Sequence, residues 1–108
     1  MGFLTLGDVA ESEPVPGFRV RFVHGQNMTI AYWDVSEGAL LPDHSHPHEQ
    51  ISSVIEGQFA LTIEGVTEIL GPGSVGVIPP NAPHSGKAIT DCRIIDAFYP
   101  VREDYRSR

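Results

Sequence analysis

Short runs of β-branched and aromatic residues, each ended after a few positions by a turn signal, constrain this chain more than any other feature. About eight such runs recur at spacings of roughly ten residues. No stretch keeps a 3.6-residue period over a helical length. The chain is therefore predicted to be an all-β sandwich or barrel. The runs are 18–23, 28–35, 50–55, 58–63, 66–70, 74–78, 87–90 and 92–99.

The length of 108 residues fits one domain, and 41% apolar residues are enough for one core. We expect an N-terminal strand or loop segment over residues 1–16, with an exposed loop at 11–17 that Pro14 and Pro16 interrupt. The barrel domain is expected over 17–104, with a C-terminal tail over 105–108.

The net charge of −7 argues against nucleic acid and anionic membranes as partners. Cys92 is the only cysteine, so no internal disulfide can form, and we expect it to be a small buried side chain. The N-terminus shows no signal-peptide pattern, and no run approaches the roughly 18 apolar residues of a membrane span. A cytoplasmic location is the resulting expectation.

Three of the five histidines lie within the segment 44–48. On an extended strand, residues i and i+2 point to the same face, so His44 and His46 would direct their imidazoles to one point. A single pair at this spacing is weak evidence for a metal site. His48 shares the same parity and could join the pair, whereas Glu49 has the opposite parity and is expected at the rim.

The glycines around this cluster add a wider pattern. Gly38 is followed after five residues by His44, and Gln50 is followed after six by Gly57. A second pattern runs from Gly73 through Pro79 and Asn81 to His84, with Asn81 in a position that favours positive φ.

Together the two patterns resemble the two motifs of the cupin superfamily, over about residues 17–104. The resemblance implies a jelly-roll β-barrel with one divalent transition metal ion inside it. The implied ligands are His44, His46, Gln50 and His84, with Gln50 where the general pattern has Glu. Three imidazoles and one side-chain oxygen suit Ni, Zn, Fe or Mn, as well as Cu. Because all four ligands are neutral, the ion would keep its charge and favour an anionic ligand.

The last apolar run contains an aspartate. Alternation places Ile94, Asp96 and Phe98 on one face, where an unpaired buried carboxylate would be costly. Asp96 therefore either meets solvent or lines a polar cavity as an acid or base. Arg102 follows as either a surface charge or a bidentate clamp for a carboxylate.

Three strings carry a closer resemblance: His44 to Gln50, Pro79 to His84, and Asp96 to Tyr105. They are similar to the small cupins related to the pectin-degradation protein KdgF, which have Gln in the ligand position. That group opens 4,5-unsaturated uronate monosaccharides from pectin or alginate to linear 5-keto-4-deoxyuronate. The resemblance implies that Asp96 and Arg102 are catalytic and that Phe98 and Arg102 bind the substrate.

Other functions stay open at this stage. The chain could be a metal-dependent dioxygenase or isomerase acting on another small polar substrate, a cupin that binds a sugar acid or anion without turnover, or a structural barrel. We also expect a homodimer, because a short barrel with exposed sheet edges gains by covering them. His24 is expected in a surface turn, and Trp33 in the core or a pocket wall.

Overall fold

The computed structural model describes residues 2–106, and these residues form two antiparallel sheets. A 3-10 helix at Leu6–Asp8 precedes the strands and another at Glu103–Tyr105 follows them. Within the described range, no helix is long and apolar enough to cross a membrane. Residues 107 and 108 of the expected tail lie outside the described residues. The strands are β1 (Ser12–Val15), β2 (Phe18–His24), β3 (Thr29–Val35), β4 (Leu40–His44), β5 (Glu49–Glu56), β6 (Phe59–Ile63), β7 (Val66–Leu70), β8 (Val75–Ile78), β9 (His84–Ala88) and β10 (Cys92–Tyr99).

The strands are arranged as a jelly-roll barrel. One sheet has the order β1-β2-β3-β10-β5-β8, and the other has the order β4-β9-β6-β7. Each sheet turns alternate side chains inward, and the main core lies where the inward faces meet. The predicted all-β jelly-roll barrel is confirmed, and most of the eight predicted runs coincide with strands.

Two strands, β1 and β4, were not among the predicted runs. Each contains a proline, Pro14 in β1 and Pro42 in β4, and each is the outermost strand of its sheet. Proline cannot donate a backbone hydrogen bond, so it is tolerated at a sheet edge. The expected loop over 11–17 was therefore wrong where β1 pairs with β2.

The strand predicted at 87–90 instead begins at His84 and ends at Ala88. Its first residues, His84-Ser85-Gly86, have weak intrinsic β-propensity. They are extended because β9 is paired on both sides, with β4 and with β6. This pairing sets His84 directly opposite His44.

The inward residues of the six-stranded sheet change character along the strands. Toward one end they are apolar, as in the row formed by Trp33, Ile94 and Val54. Two residues further along β10, Asp96 lies opposite Ser52 of β5, and both are buried. The barrel thus has an apolar core and a polar cavity at one end.

Candidate metal centre

Three histidines converge in the polar cavity. His44 ends β4, His84 begins β9, and His46 lies between β4 and β5. One ring nitrogen from each of the three lies within 4.8 Å of the others. The ring centroids of His44 and His84 are 4.2 Å apart, and those of His46 and His84 are 4.9 Å apart. The group could hold a metal ion.

The way in which His46 reaches the site differs from the expectation. Strand β4 ends at His44, so strand alternation does not carry His46 to the same face. The loop of residues 45–48 does so instead. The backbone N–H of Asn81 donates a hydrogen bond of 2.7 Å to the His46 carbonyl and joins this loop to the turn before His84. Asn81 has a φ of 65°, as its position in the motif predicted.

Backbone carbonyls lie beside Nδ1 of each imidazole. For His44 and His84 this carbonyl can only accept, so Nδ1 carries the proton and Nε2 keeps a free lone pair. His46 has an acceptor at each ring nitrogen, the His48 carbonyl at Nδ1 and Gln50 Oε1 at Nε2, so a neutral ring donates to one of them. The carbonyls belong to Pro42 for His44, to His48 for His46 and to Ala82 for His84, at 2.8, 3.1 and 2.9 Å.

Burial also favours the neutral form of two of the rings, those of His46 and His84. Burial, with the nearby Arg102 charge, lowers the pKa of His46 to about 4. Burial likewise lowers the pKa of His84, whose Nε2 is buried and has no hydrogen-bond partner among the described residues. A neutral imidazole with an orphaned, inward lone pair is the form that binds a metal ion.

Gln50 presents a fourth donor beside the three rings. Its Nε2 donates a 3.0 Å hydrogen bond to Asp96 Oδ2, which turns Oε1 toward His46 Nε2 at 3.1 Å. With His46 protonated on Nδ1, both of these atoms present lone pairs, and their separation suits two ligands of one ion, whose bonds would be about 2.1 Å long. The donor set, three nitrogens and one amide oxygen, fits a divalent transition metal ion.

Asp96 faces inward, as the parity of β10 allowed, and is only 7% exposed. Burial raises the pKa of its carboxyl to about 6, while the nearby Ser52 hydroxyl, Trp33 indole and Gln50 amide act in the opposite direction. The Trp33 Nε1 and Asp96 Oδ1 atoms are both buried but do not reach hydrogen-bond geometry with any described residue. Trp33 is thus part of the cavity wall, one of its two expected places.

Arg102 is buried to the same degree as Asp96, so its interpretation as a surface charge was wrong. Its guanidinium carbon lies 4.7 Å from the centre of the Phe98 ring, and both residues line the cavity that contains the histidines and Asp96. The structure therefore brings together every residue that the sequence nominated for the site. Their chemical roles stay predictions.

The remaining polar neighbours lie elsewhere. Glu49 is exposed on the outer face of β5, opposite in direction to Gln50. His48 is half-buried with its ring centroid 5.4 Å from that of His46, but it is outside the three-histidine group. His24 was expected in a turn but ends β2, where its Nδ1 lies 2.9 Å from Thr29 Oγ1.

Sequence reasoning missed several residues around Arg102. The Arg102 backbone N–H donates to Thr29 Oγ1, and its side chain contacts Asp104 and Tyr105. Nothing in strand alternation indicates that residues after β10 fold back over the cavity. The only available signal was the closeness of Asp104 and Tyr105 to Arg102 in the chain.

Comparison with known proteins supports the same fold. The cupin domain family matches residues 31–98, which is more than half of the chain. The chain belongs to the cupin family. This cupin is 33% identical over 72 residues to the pectin degradation protein KdgF of Dickeya dadantii, covering 65% of this chain and 66% of that protein.

Two solved structures are similar over nearly the whole barrel. KdgF from Halomonas sp. superposes with a TM-score of 0.88 at 28% identity, covering 96% of this chain and 97% of the other. An RmlC-like cupin from Shewanella frigidimarina superposes with a TM-score of 0.90 at 26% identity, covering 97% and 96%. The small KdgF-like cupins are therefore the group that this chain resembles.

Proposed function

We propose that this cupin converts 4,5-unsaturated uronate monosaccharides, from pectin or alginate breakdown, to linear 5-keto-4-deoxyuronate. The observation that carries the proposal is one buried cavity lined by three convergent histidines, an inward carboxylate at Asp96 and a buried cation at Arg102. The similarity to a protein named for pectin degradation supports the substrate class. The substrate is a small anion, consistent with a site whose metal ligands are all neutral.

Arg102 suits the carboxylate of such a substrate. A guanidinium offers planar pairs of N–H donors that match a carboxylate, and this one is buried beside the metal centre. Phe98 packs under the guanidinium and forms the adjacent wall of the cavity. Substrate held in this way would place its ring toward Asp96 and the histidines.

Ring opening needs one proton to move within the substrate. The anomeric hydroxyl loses its proton, the bond between C1 and the ring oxygen breaks, and an aldehyde forms at C1. The ring oxygen becomes the oxygen of an enol at C5, and a proton added at C4 converts that enol to the ketone. Asp96 would accept the first proton and return it to C4, so the reaction is an isomerisation with no other reactant.

Gln50 links Asp96 to the metal centre through its side-chain amide. The hydrogen bond from Gln50 Nε2 to Asp96 Oδ2 orients the carboxylate and directs Gln50 Oε1 toward the histidines. A divalent ion held by His44, His46, Gln50 and His84 would act as a Lewis acid that stabilises negative charge on the sugar oxygens.

The test follows the ultraviolet absorbance of the conjugated double bond in the substrate, a 4,5-unsaturated monosaccharide derived from galacturonate or mannuronate. The metal-loaded protein should accelerate its decay well above the spontaneous rate, and a chelator should abolish the acceleration. Asp96→Asn should lower kcat by at least about 100-fold, whereas Asp8→Asn, at an exposed aspartate of the first 3-10 helix, should not.

No acceleration by protein with a full metal complement would overturn the proposal. Full activity in Asp96→Asn would overturn the role given to that carboxylate. Uptake of oxygen with a small polar substrate would identify a dioxygenase instead, and tight binding of a uronate without product would identify a binding protein.

A further inference from the structure

The Arg102 side chain is held on three sides, by Asp104 and Tyr105 of the tail and by Phe98 of β10. Its Nε and Nη2 atoms donate to the two oxygens of Asp104 at 3.1 and 2.8 Å. The guanidinium carbon lies 4.7 Å from the Phe98 ring centre and 4.6 Å from the Tyr105 ring centre. A forked ion pair thus fixes one edge of the guanidinium, and two aromatic rings flank it.

This arrangement is anchored to the barrel at two further points. Tyr105 stacks on Phe22 of β2, with ring centroids 4.4 Å apart and an interplanar angle of 16°. The Arg102 backbone N–H donates a 2.9 Å bond to Thr29 Oγ1 of β3. The tail after β10 is therefore attached to β2 and to β3, the strand that pairs with β10.

The fork with Asp104 occupies Nε and Nη2 and leaves Nη1 for another acceptor. Arginine has high rotamer freedom, and ordering it when a ligand binds would cost free energy. Here that ordering is already present before any ligand arrives. We propose that Asp104 and Tyr105 are positioning residues that hold the Arg102 guanidinium in the orientation that accepts the carboxylate of the substrate.

The statement that this carboxylate belongs to a uronate rests on the proposed function. The holding of Arg102 by Asp104 and Tyr105, called the clamp below, does not. The test therefore has two arms. In the first, Asp104→Asn should raise KM for the unsaturated uronate about tenfold with kcat within about twofold, because a weakened positioning contact lowers ground-state and transition-state binding equally. Glu103→Gln, at an exposed neighbour, is the matched control and should leave KM unchanged.

The second arm uses nuclear magnetic resonance of the arginine Nε–H group in the zinc-loaded protein. Arg102 should give a separate, slowly exchanging Nε–H signal that is assigned by its loss in Arg102→Lys. In Asp104→Asn this signal should move to the bulk arginine position, and in Tyr105→Leu it should exchange faster. An Nε–H signal that is unchanged in both variants would overturn the clamp, whether or not the wild-type protein opens uronates. Failure of the wild-type protein to open a uronate would by itself overturn only the proposed function.

Discussion

Gly57 occupies the turn between β5 and β6 with a φ of 82°. A side chain there would meet the backbone carbonyl oxygen of Asp91 and lie 2.8 Å from Thr90 Oγ1. Gly65, in the turn between β6 and β7, has the same φ but open space around it. Comparing substitutions at these two glycines separates the free-energy cost of a positive φ from that of a close contact.

Gly65→Ala should lower the free energy of unfolding by about 1 kcal/mol, since a left-handed backbone is unfavourable for alanine. Gly57→Ala should lower it by about 2 kcal/mol more, because the backbone of Asp91 must also move. Urea unfolding of both variants measures the difference. Equal losses would show that the Asp91 backbone yields without cost.

Cys92 is buried, and its thiol donates to the carbonyls of Gln58 and Thr90 at 3.1 and 3.2 Å. Burial raises the pKa of the thiol, so less of the reactive thiolate forms at a given pH. At about pH 8 a disulfide reagent should therefore react at least about 100-fold more slowly with the folded protein than with the protein in urea. Comparable rates in the two states would contradict this expectation.

At the scale of elements, the turn over residues 79–83 joins the two motifs. Asn81 has positive φ and donates its backbone N–H to the His46 carbonyl, and three residues later the chain places His84 in β9. A glycine can adopt the same backbone and keep the same N–H. A β-branched residue cannot do so without strain.

Asn81→Gly should therefore retain metal affinity, whereas Asn81→Val should lose about 1 to 2 kcal/mol of stability and bind metal at least about tenfold more weakly. Asn27→Val, in the exposed turn between β2 and β3, is the control and should keep metal affinity. Calorimetric titration with zinc measures the affinities. Unchanged affinity in Asn81→Val would show that the turn does not position the histidines.

At the scale of the whole molecule, the metal centre connects the two sheets. His44 and His84 belong to the four-stranded sheet, and Gln50 belongs to the six-stranded one. An ion bound by all of them would cross-link the barrel at its open end. An ion that binds only the folded state stabilises it by about 2.7 kcal/mol at a free concentration 100 times its dissociation constant.

Zinc or nickel at that excess should raise Tm by roughly 10 °C, and a chelator should reverse the rise. His84→Ala should remove the metal-dependent shift, whereas His24→Ala, outside the three-histidine group, should keep it. Differential scanning calorimetry of the three proteins measures the effect. A metal-dependent shift that persists in His84→Ala would show that the ion binds elsewhere.

Local patterns in the sequence determined most of the strand content and nominated the residues of the site. Alternation of apolar residues predicted β10 and placed Asp96 and Phe98 on one face of it, because side-chain direction in a strand depends only on parity. The spacing of the glycines and histidines carried the cupin resemblance, which nominated the four metal-ligand positions, since each motif lies within one short segment.

Tertiary structure alone decided the features that depend on distant partners. Strands β1 and β4 contain prolines and are strands only because a neighbouring strand pairs with each. His46 reaches the site through a loop that the Asn81 backbone holds. The contacts of Arg102 with Asp104, Tyr105 and Thr29 require the tail to fold back over β2 and β3, and no periodicity along the chain encodes that return. Pairing between distant segments, unlike side-chain parity, has no local signature.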